Sequence, residues 1–225
     1  MKKIWLAALL GAALVVGGCD NPFAPKTRTP DEKPPEPAKE ATDPEIVMDN
    51  LEKAFEERDK ELYETLLDER FWFTETDCAG NIIFFNDREE ELAIMGGRDN
   101  SEGVLDRFRT IEYTFNIFST NGRTRELGIE RPNAFEGDPD GHPDEDWEVF
   151  RGRVEMLLLE NPTDGFRVEQ VMTFKLRQAD DGLWRIARWV DDPLSGGGNC
   201  SNEGIGKLAA ENDSWGRIKA SLNRQ

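Results

Sequence analysis

The chain has 225 residues, of which 28 are basic and 46 are acidic, and its formal net charge at pH 7 is −18. Such an acidic chain cannot bind nucleic acid by neutralising phosphates, and anionic lipid headgroups repel it. The single histidine excludes histidine dyads and histidine-rich metal sites within one chain. The sequence also lacks a phosphate-binding loop, a dinucleotide fingerprint, a serine elbow and zinc-ligand spacing. We therefore expect no cofactor and no nucleic-acid partner.

The first 19 residues have the parts of a secretory signal peptide. Two lysines at 2–3 precede an uncharged apolar run at 4–16, which is shorter than the roughly 20 residues of a membrane span. The run closes with VGGC at 16–19, and these four residues resemble a bacterial lipobox. The resemblance implies removal of residues 1–18, a diacylglycerol on Cys19 and often an amide-linked acyl chain. Since two lipid signals anchor a protein stably, we expect a cell-envelope protein tethered to the extracytoplasmic side of a bacterial membrane. A plain signal peptide and an uncleaved anchor are the alternatives.

A proline-rich segment follows the cysteine. Residues 21–43 read NPFAPKTRTPDEKPPEPAKEATD, with six prolines and one large apolar residue, Phe23. This composition cannot bury a core and favours polyproline II, which at about 3.1 Å per residue reaches roughly 70 Å from a bilayer. We interpret residues 19–42 as a disordered tether; a proline-rich ligand for a partner is the alternative.

Two cysteines remain beyond the lipobox. Cys78 and Cys200 are an even pair, and the expected compartment is oxidising. A disulfide between them would connect the glycine-rich segment near the C-terminus to the body of the domain. Two free thiols are the alternative, since the sequence does not show that the two residues meet.

Three helices are predicted before the long strands. Thr42 or Asp43 begins the first, since Pro44 suits its first turn and an apolar stripe at helical spacing continues to Phe55, and this helix is expected to end near Arg58. Asn86 or Asp87 caps the third helix, which ends at two glycines. The intervening elements are a second short helix at 59–67, a strand at 71–76 and an apolar run at 82–85.

After residue 110 the apolar pattern alternates with period two, which is typical of an antiparallel sheet with one buried face. In the last strand the alternation places Trp184, Ile186 and Val190 on one face, and Ala187 and Trp189 on the other. The predicted strands lie at 111–117, 150–158, 166–176 and 183–192.

This order of elements, ending in WRIARWVD at 184–191, resembles the nuclear transport factor 2-like superfamily of SnoaL-like, cystatin-like cones. The likeness covers residues 43–192. It implies an α+β fold in which N-terminal helices pack on a strongly curved antiparallel sheet and leave a pocket. Residues 193–225 are predicted to form a glycine-rich connection and a short C-terminal helix, capped by Ser214, that packs on the domain through Trp215, Ile218 and Leu222. A fold of this kind does not define a function.

Polar residues that interrupt apolar strand faces are the candidates for a pocket. Tyr113, Gln170 and Arg188 are of this kind, and Met172 and Trp184 would line the same space. The alternative makes Tyr113 a core residue, Gln170 a local hydrogen-bonding group and Arg188 a residue of the sheet edge. No acid is a convincing general base, so we expect no catalytic residues. Asp191 and Asp192 follow the last strand and are expected at the mouth of the cone.

The loop EGDPDGHPDEDWE at 136–148 holds seven acidic residues and no basic one. Closely spaced carboxylates around a glycine can bind calcium, which makes Asp138, Asp140 and Asp144 weak metal candidates. The glutamate that would close a calcium loop falls one residue late, so a solvated acidic loop is the favoured interpretation.

Taken together, the sequence predicts a lipid-anchored, non-catalytic domain that binds a small apolar ligand in the cone or a protein partner. The strand face with Val149, Leu157, Leu159 and Trp189 is a candidate for pairing two copies through the sheet. The alternative is an isomerase or dehydratase that uses a pocket acid with Tyr113, which requires a carboxylate deep in the cone.

Overall fold

The structure is a computed structural model that describes residues 36–77, 82–97, 102–192, 211–212 and 214–222. Its helices are α1 (Pro44–Glu57), α2 (Lys60–Leu66), α3 (Arg88–Gly96), α4 (Val104–Arg107) and α5 (Trp215–Leu222), with a 3-10 turn at Gly128–Glu130. Its strands are β1 (Leu67–Thr76), β2 (Ile82–Asp87), β3 (Thr110–Ile117), β4 (Arg123–Glu126), β5 (Trp147–Asn161), β6 (Asp164–Gln178), β7 (Trp184–Asp192) and β8 (Glu211–Asn212). Cys19, Cys78 and Cys200 lie outside the described residues, as does the signal-like segment.

Side-chain caps define the starts of the first and third helices. Asp43, not Thr42, caps α1, where its carboxylate accepts from the backbone N–H of Glu45. Asp87 and Glu90 form a reciprocal capping box at α3, which satisfies two backbone donors that the helix leaves unpaired. Within the part of the chain that the structure describes, no helix has the length and apolar character needed to cross a bilayer.

The four long strands β3, β5, β6 and β7 pair antiparallel, as predicted, but the sheet as a whole is mixed. Its strands run in the order β2-β1-β7-β6-β5-β3, and β1 and β7 are parallel. Parallel pairing needs a long connection, and here more than a hundred residues separate the two strands in the chain. Beyond the end of β7, the two residues of β8 pair with β6 at Phe166 and Arg167.

A bulge in β7 changes which residues of that strand face the core. Lys175 of β6 pairs with Arg188, but the next residue, Leu176, pairs with Ile186, so Ala187 is an extra residue. Ile186 and Trp189 therefore both face the buried side, although the alternation placed them on opposite faces. Arg188 points to the opposite side of the sheet, called the outer face below, together with Lys175.

The buried side of the sheet, called the inner face below, packs against the helices. Phe55 of α1 stacks on Tyr113 of β3 with the ring centroids 5.0 Å apart, and its edge meets Trp189 and Trp215. The ring centroid of Phe174 in β6 lies 4.7 Å from the ring centroid of Trp189. The space between the inner face and the helices is called the cone interior below.

Trp189→Ala should lower the free energy of unfolding by about 3–5 kcal/mol, because it removes a fully buried indole from the centre of this cluster. Urea denaturation would measure the loss. Trp72→Ala is the matched control, since Trp72 is half-buried, and it should cost less than half as much. Equal losses would contradict the inward placement of Trp189.

Candidate functional site

The C-terminal helix lies inside the cone interior. Trp215 and Ile218 are buried, as the sequence predicts, while the side chain of Leu222 is outside the described part. Ser214 caps the helix by accepting from the backbone N–H of Arg217 at 3.1 Å. The backbone N–H of Trp215 donates to Oε1 of Gln170 at 2.7 Å. Gln170, the polar residue on an otherwise apolar strand face, therefore binds the backbone of the first turn of α5.

A fully buried lysine is the central group of the cone interior. Lys219 of α5 has 0% exposure, and its Nζ lies 2.8 Å from Oε2 of Glu91. The same ammonium lies 3.4 Å from the ring centroid of Phe73, 4.9 Å from Trp189 and 5.1 Å from Trp215. Aromatic faces attract a cation electrostatically, and the attraction is stronger away from water. Lys219 is therefore held by one carboxylate and three rings.

Glu91 of α3 connects this lysine to two other elements. Its Oε1 accepts from the hydroxyl of Tyr63 on α2 at 2.7 Å, and its Oε2 also accepts from the amide nitrogen of Asn86. Glu91 is fully buried and shares a helical stripe with Ile94 and Met95. A buried carboxylate is tolerated only when it is paired and hydrogen-bonded, and both conditions are met here.

Two more acids reach the cone interior from the sheet. Asp191 is fully buried, and its Oδ1 accepts from the indole N–H of Trp189 at 2.7 Å. Burial raises the pKa of Asp191 well above the usual 3.8, although the Lys219 ammonium opposes the shift. Glu75 follows Phe73 on the inner face of β1 and is 4% exposed. Its carboxylate lies against α5 where Gly216 has no side chain, since a Cβ there would overlap it.

The charge of the lysine depends on these acids. Burial lowers the pKa of Lys219, whereas the charges of Glu91, Asp191 and Glu75 oppose that shift. All three carboxyl groups therefore act on one ammonium group.

Several buried polar atoms of this region have no hydrogen-bond partner among the described residues. They are Oδ1 of Asn86, the hydroxyl of Tyr113, Nε2 of Gln170, Oδ2 of Asp191 and Nε1 of Trp215. An unpaired buried polar group costs about 1–3 kcal/mol, so a purely structural core would contain few of them. The cone interior thus combines aromatic side chains with several buried polar groups.

Three of the five predicted pocket residues lie on the inner face. Tyr113 and Met172 are fully packed core residues, and Gln170 binds α5. Trp184 is half-buried against the edge of the core. The structure places these side chains around the core, with α5 filling the space that a pocket would occupy.

Arg188 is not in the cone, because the bulge turns it to the outer face. It is 6% exposed, and its Nη1 donates to the backbone carbonyls of Arg70 and Ala187 at 2.5 and 2.6 Å. Its guanidinium lies 5.2 Å from the ring centroid of Trp147. Burial lowers its pKa to about 10.

The acidic loop is folded onto the outer face. His142 is 3% exposed and stacks on Trp147 with the ring centroids 3.8 Å apart. The carboxylate of Asp138 accepts from the backbone N–H groups of Ala134 and Asp140, which lowers its pKa. Asp144 is exposed. Among the described residues no three histidine, cysteine or acidic side chains are grouped as metal ligands would be.

Sequence reasoning missed Glu91 and Lys219 and placed Asp191 at the mouth of the cone. The sequence signal that could have identified Glu91 and Lys219 is their spacing, because each lies on the apolar, buried side of its helix. Glu91 precedes two buried residues of α3 at helical spacing, and Lys219 follows Trp215 by four residues. Asp191 has the same strand phase as Trp189, so the bulge carries both inward.

No protein-family model and no curated protein matches the chain in sequence. Solved structures do resemble it. A proposed aromatic ring hydroxylase from Novosphingobium aromaticivorans is 14% identical with a TM-score of 0.45, over 67% of this chain and 85% of that one. A nuclear transport factor 2-like superfamily protein from Salmonella enterica is 10% identical with a TM-score of 0.44, over 71% and 92%.

A protein of unknown function with a cystatin-like fold from Nostoc punctiforme is 12% identical with a TM-score of 0.39, over 67% of this chain and 87% of that one. At such low identity these similarities concern the fold alone.

Stability should depend on pH through Asp191. An acid whose pKa is raised by folding stabilises the protein below its unfolded pKa of 3.8, and that contribution is lost as the pH rises toward the folded pKa. Asp191→Asn should therefore flatten the fall in unfolding free energy as the pH rises above about 4, measured by urea denaturation.

Asp181→Asn is the control. Hydrogen bonds from Arg185 lower the pKa of exposed Asp181 to about 2. Asp181→Asn should therefore change the pH dependence of the unfolding free energy only at lower pH, and in the direction opposite to Asp191→Asn. An unchanged slope in Asp191→Asn would show that burial does not keep this carboxyl protonated.

Proposed function

We propose that this chain is a lipid-anchored cell-envelope protein whose domain binds a small ligand in the cone interior without catalysis. The observation that carries the proposal is the buried cluster of Lys219, Glu91 and Asp191 within an aromatic core. Replacing a buried ion pair by apolar residues is often neutral or stabilising, so stability alone does not explain it. Perturbed ionisable groups enclosed in a fold are typical of binding and catalytic sites.

The character of the ligand follows from the same residues. The sequence alone favoured an apolar ligand. Buried carboxyl groups and unpaired polar atoms favour a molecule that has an apolar body and at least one polar group.

The anchor and the dimer rest on the sequence. The VGGC segment supports lipidation of Cys19 and a location outside the cytoplasm. Pairing of two copies through the outer face remains a proposal. On that face Val149 and Leu159 are buried and Leu157 is half-buried, whereas Trp189 lies on the inner face and is fully buried.

An isomerase or dehydratase is the second candidate. Its requirement for a carboxylate deep in the cone agrees with Asp191, which is enclosed and has a raised pKa. The hydroxyl of Tyr113 is buried, and the Asp191 charge is among the groups that raise its pKa, after burial itself and Glu52. Conversion of a bound molecule that is lost in Asp191→Asn would favour this candidate over simple binding.

Native mass spectrometry of the full chain, extracted from membranes, should show a retained small molecule beyond the polypeptide and its lipid. The enclosed polar cluster is expected to release such a ligand slowly. Recovery of the molecule unchanged after prolonged incubation would support binding. An empty protein that also shows no thermal shift with a library of small amphipathic molecules would contradict the proposed function.

Cys19→Ser should abolish lipidation, because serine lacks the thiol that carries the diacylglycerol. Intact mass measurement should find the native chain starting at Cys19 with acyl chains attached, and the variant without either change. Cys78→Ser is the matched control and should keep the acylated mass. An unmodified native chain that retains residues 1–18 would exclude the anchor.

A further inference from the structure

We infer that the cone interior is a binding site for an alkylammonium group, and that Lys219 of α5 occupies this site as an internal ligand. The inference rests on the proposed function and names its ligand class. The ammonium site is defined by Phe73, Glu91, Trp189 and Asp191, all contributed by elements other than α5. A soluble amine would enter it in place of the lysine.

The groups around the ammonium are those that recognise organic cations. Phe73 and Trp189 present rings 3.4 and 4.9 Å from Nζ of Lys219, and Glu91 supplies a carboxylate oxygen at 2.8 Å. Rings attract the cation and the alkyl groups next to it, while the carboxylate fixes the N–H donors. A neutral ligand of the same size would satisfy the rings but leave Glu91 unpaired.

The site holds more acid than one lysine requires. Glu91 alone pairs with Lys219 at 2.8 Å, while Oδ2 of Asp191 is buried without a hydrogen-bond partner among the described residues. A second ammonium group would find a second carboxyl group nearby. A short diamine is therefore a better match to the site than a monoamine. The net charge of −18 also concentrates cations near the protein.

The helix that carries Lys219 is short, and so is the described strand that precedes it. It is eight residues long, and the strand that precedes it, β8, pairs with β6 through only two residues. An isolated helix of this length is not stable in water, so α5 depends on its contacts in the cone interior. A ligand that takes over the ammonium site competes directly with the buried ion pair between α5 and α3.

The first test restores the deleted part of the side chain. Lys219→Ala removes the three outer carbons and the nitrogen, which together correspond to propylammonium. At a hundredfold excess over its Kd, propylammonium should raise the Tm of this variant by about 5–10 °C. Propan-1-ol, the neutral analogue, should raise it much less. Lys219→Met fills the same space without a charge and should not respond to the amine.

The second test uses the unaltered protein. Hydrogen exchange measured by mass spectrometry should become faster at the amides of 215–222 when 1,4-diaminobutane is added, because the helix leaves the cone. Exchange in β5 and β6 should stay slow. This measurement does not depend on whether Lys219→Ala folds.

Three results would overturn the inference. Equal rescue by propan-1-ol would show that the site does not select a cation. Unchanged exchange at 215–222 with saturating diamine would show that Lys219 is a structural group with no competitor. A retained molecule without an amine in native mass spectrometry would refute the ligand class and leave the proposed function standing, whereas an empty protein without any amine response would remove both.

Discussion

The ion pair between Lys219 and Glu91 is the contact on which the interior of this domain depends. It joins the last helix to the third, and through Tyr63 and Asn86 it also reaches α2 and β2. Both charges are withdrawn from water, so either one alone would be strongly destabilising. Their pairing among aromatic rings therefore fixes where the C-terminal helix lies, and with it the shape of the space inside the sheet.

Local chemistry made much of the fold predictable. Asp43, Pro44 and Asp87 are start signals that act within a few residues, so the first and third helices begin where the sequence indicates. The long strands could also be predicted, from alternating apolar and polar residues, because each strand buries one face against the helices. The parallel pairing of β1 with β7 was not predictable in this way, since it joins segments that are far apart in the chain.

The ionic cluster could not be predicted for a different reason. Charged residues are assigned to the surface by default, because isolated burial is costly. Burial of Glu91 and Lys219 is tolerated only when the two charges are paired with each other. The two residues are 128 positions apart in the chain, so the sequence does not show that they pair. Tyr113 and Gln170 could be selected as candidates because each interrupts an otherwise apolar strand face, and that pattern is visible within a single strand.

The extra residue in β7 also decides which ionisable side chains of that strand lie inside the domain. With Ala187 bulged, the strand turns an indole and the carboxyl group of Asp191 inward, and the guanidinium of Arg188 outward. A regular strand of the same composition would bring the guanidinium into the core and expel the acid. One uncharged alanine thus decides which ionisable groups of β7 the domain encloses.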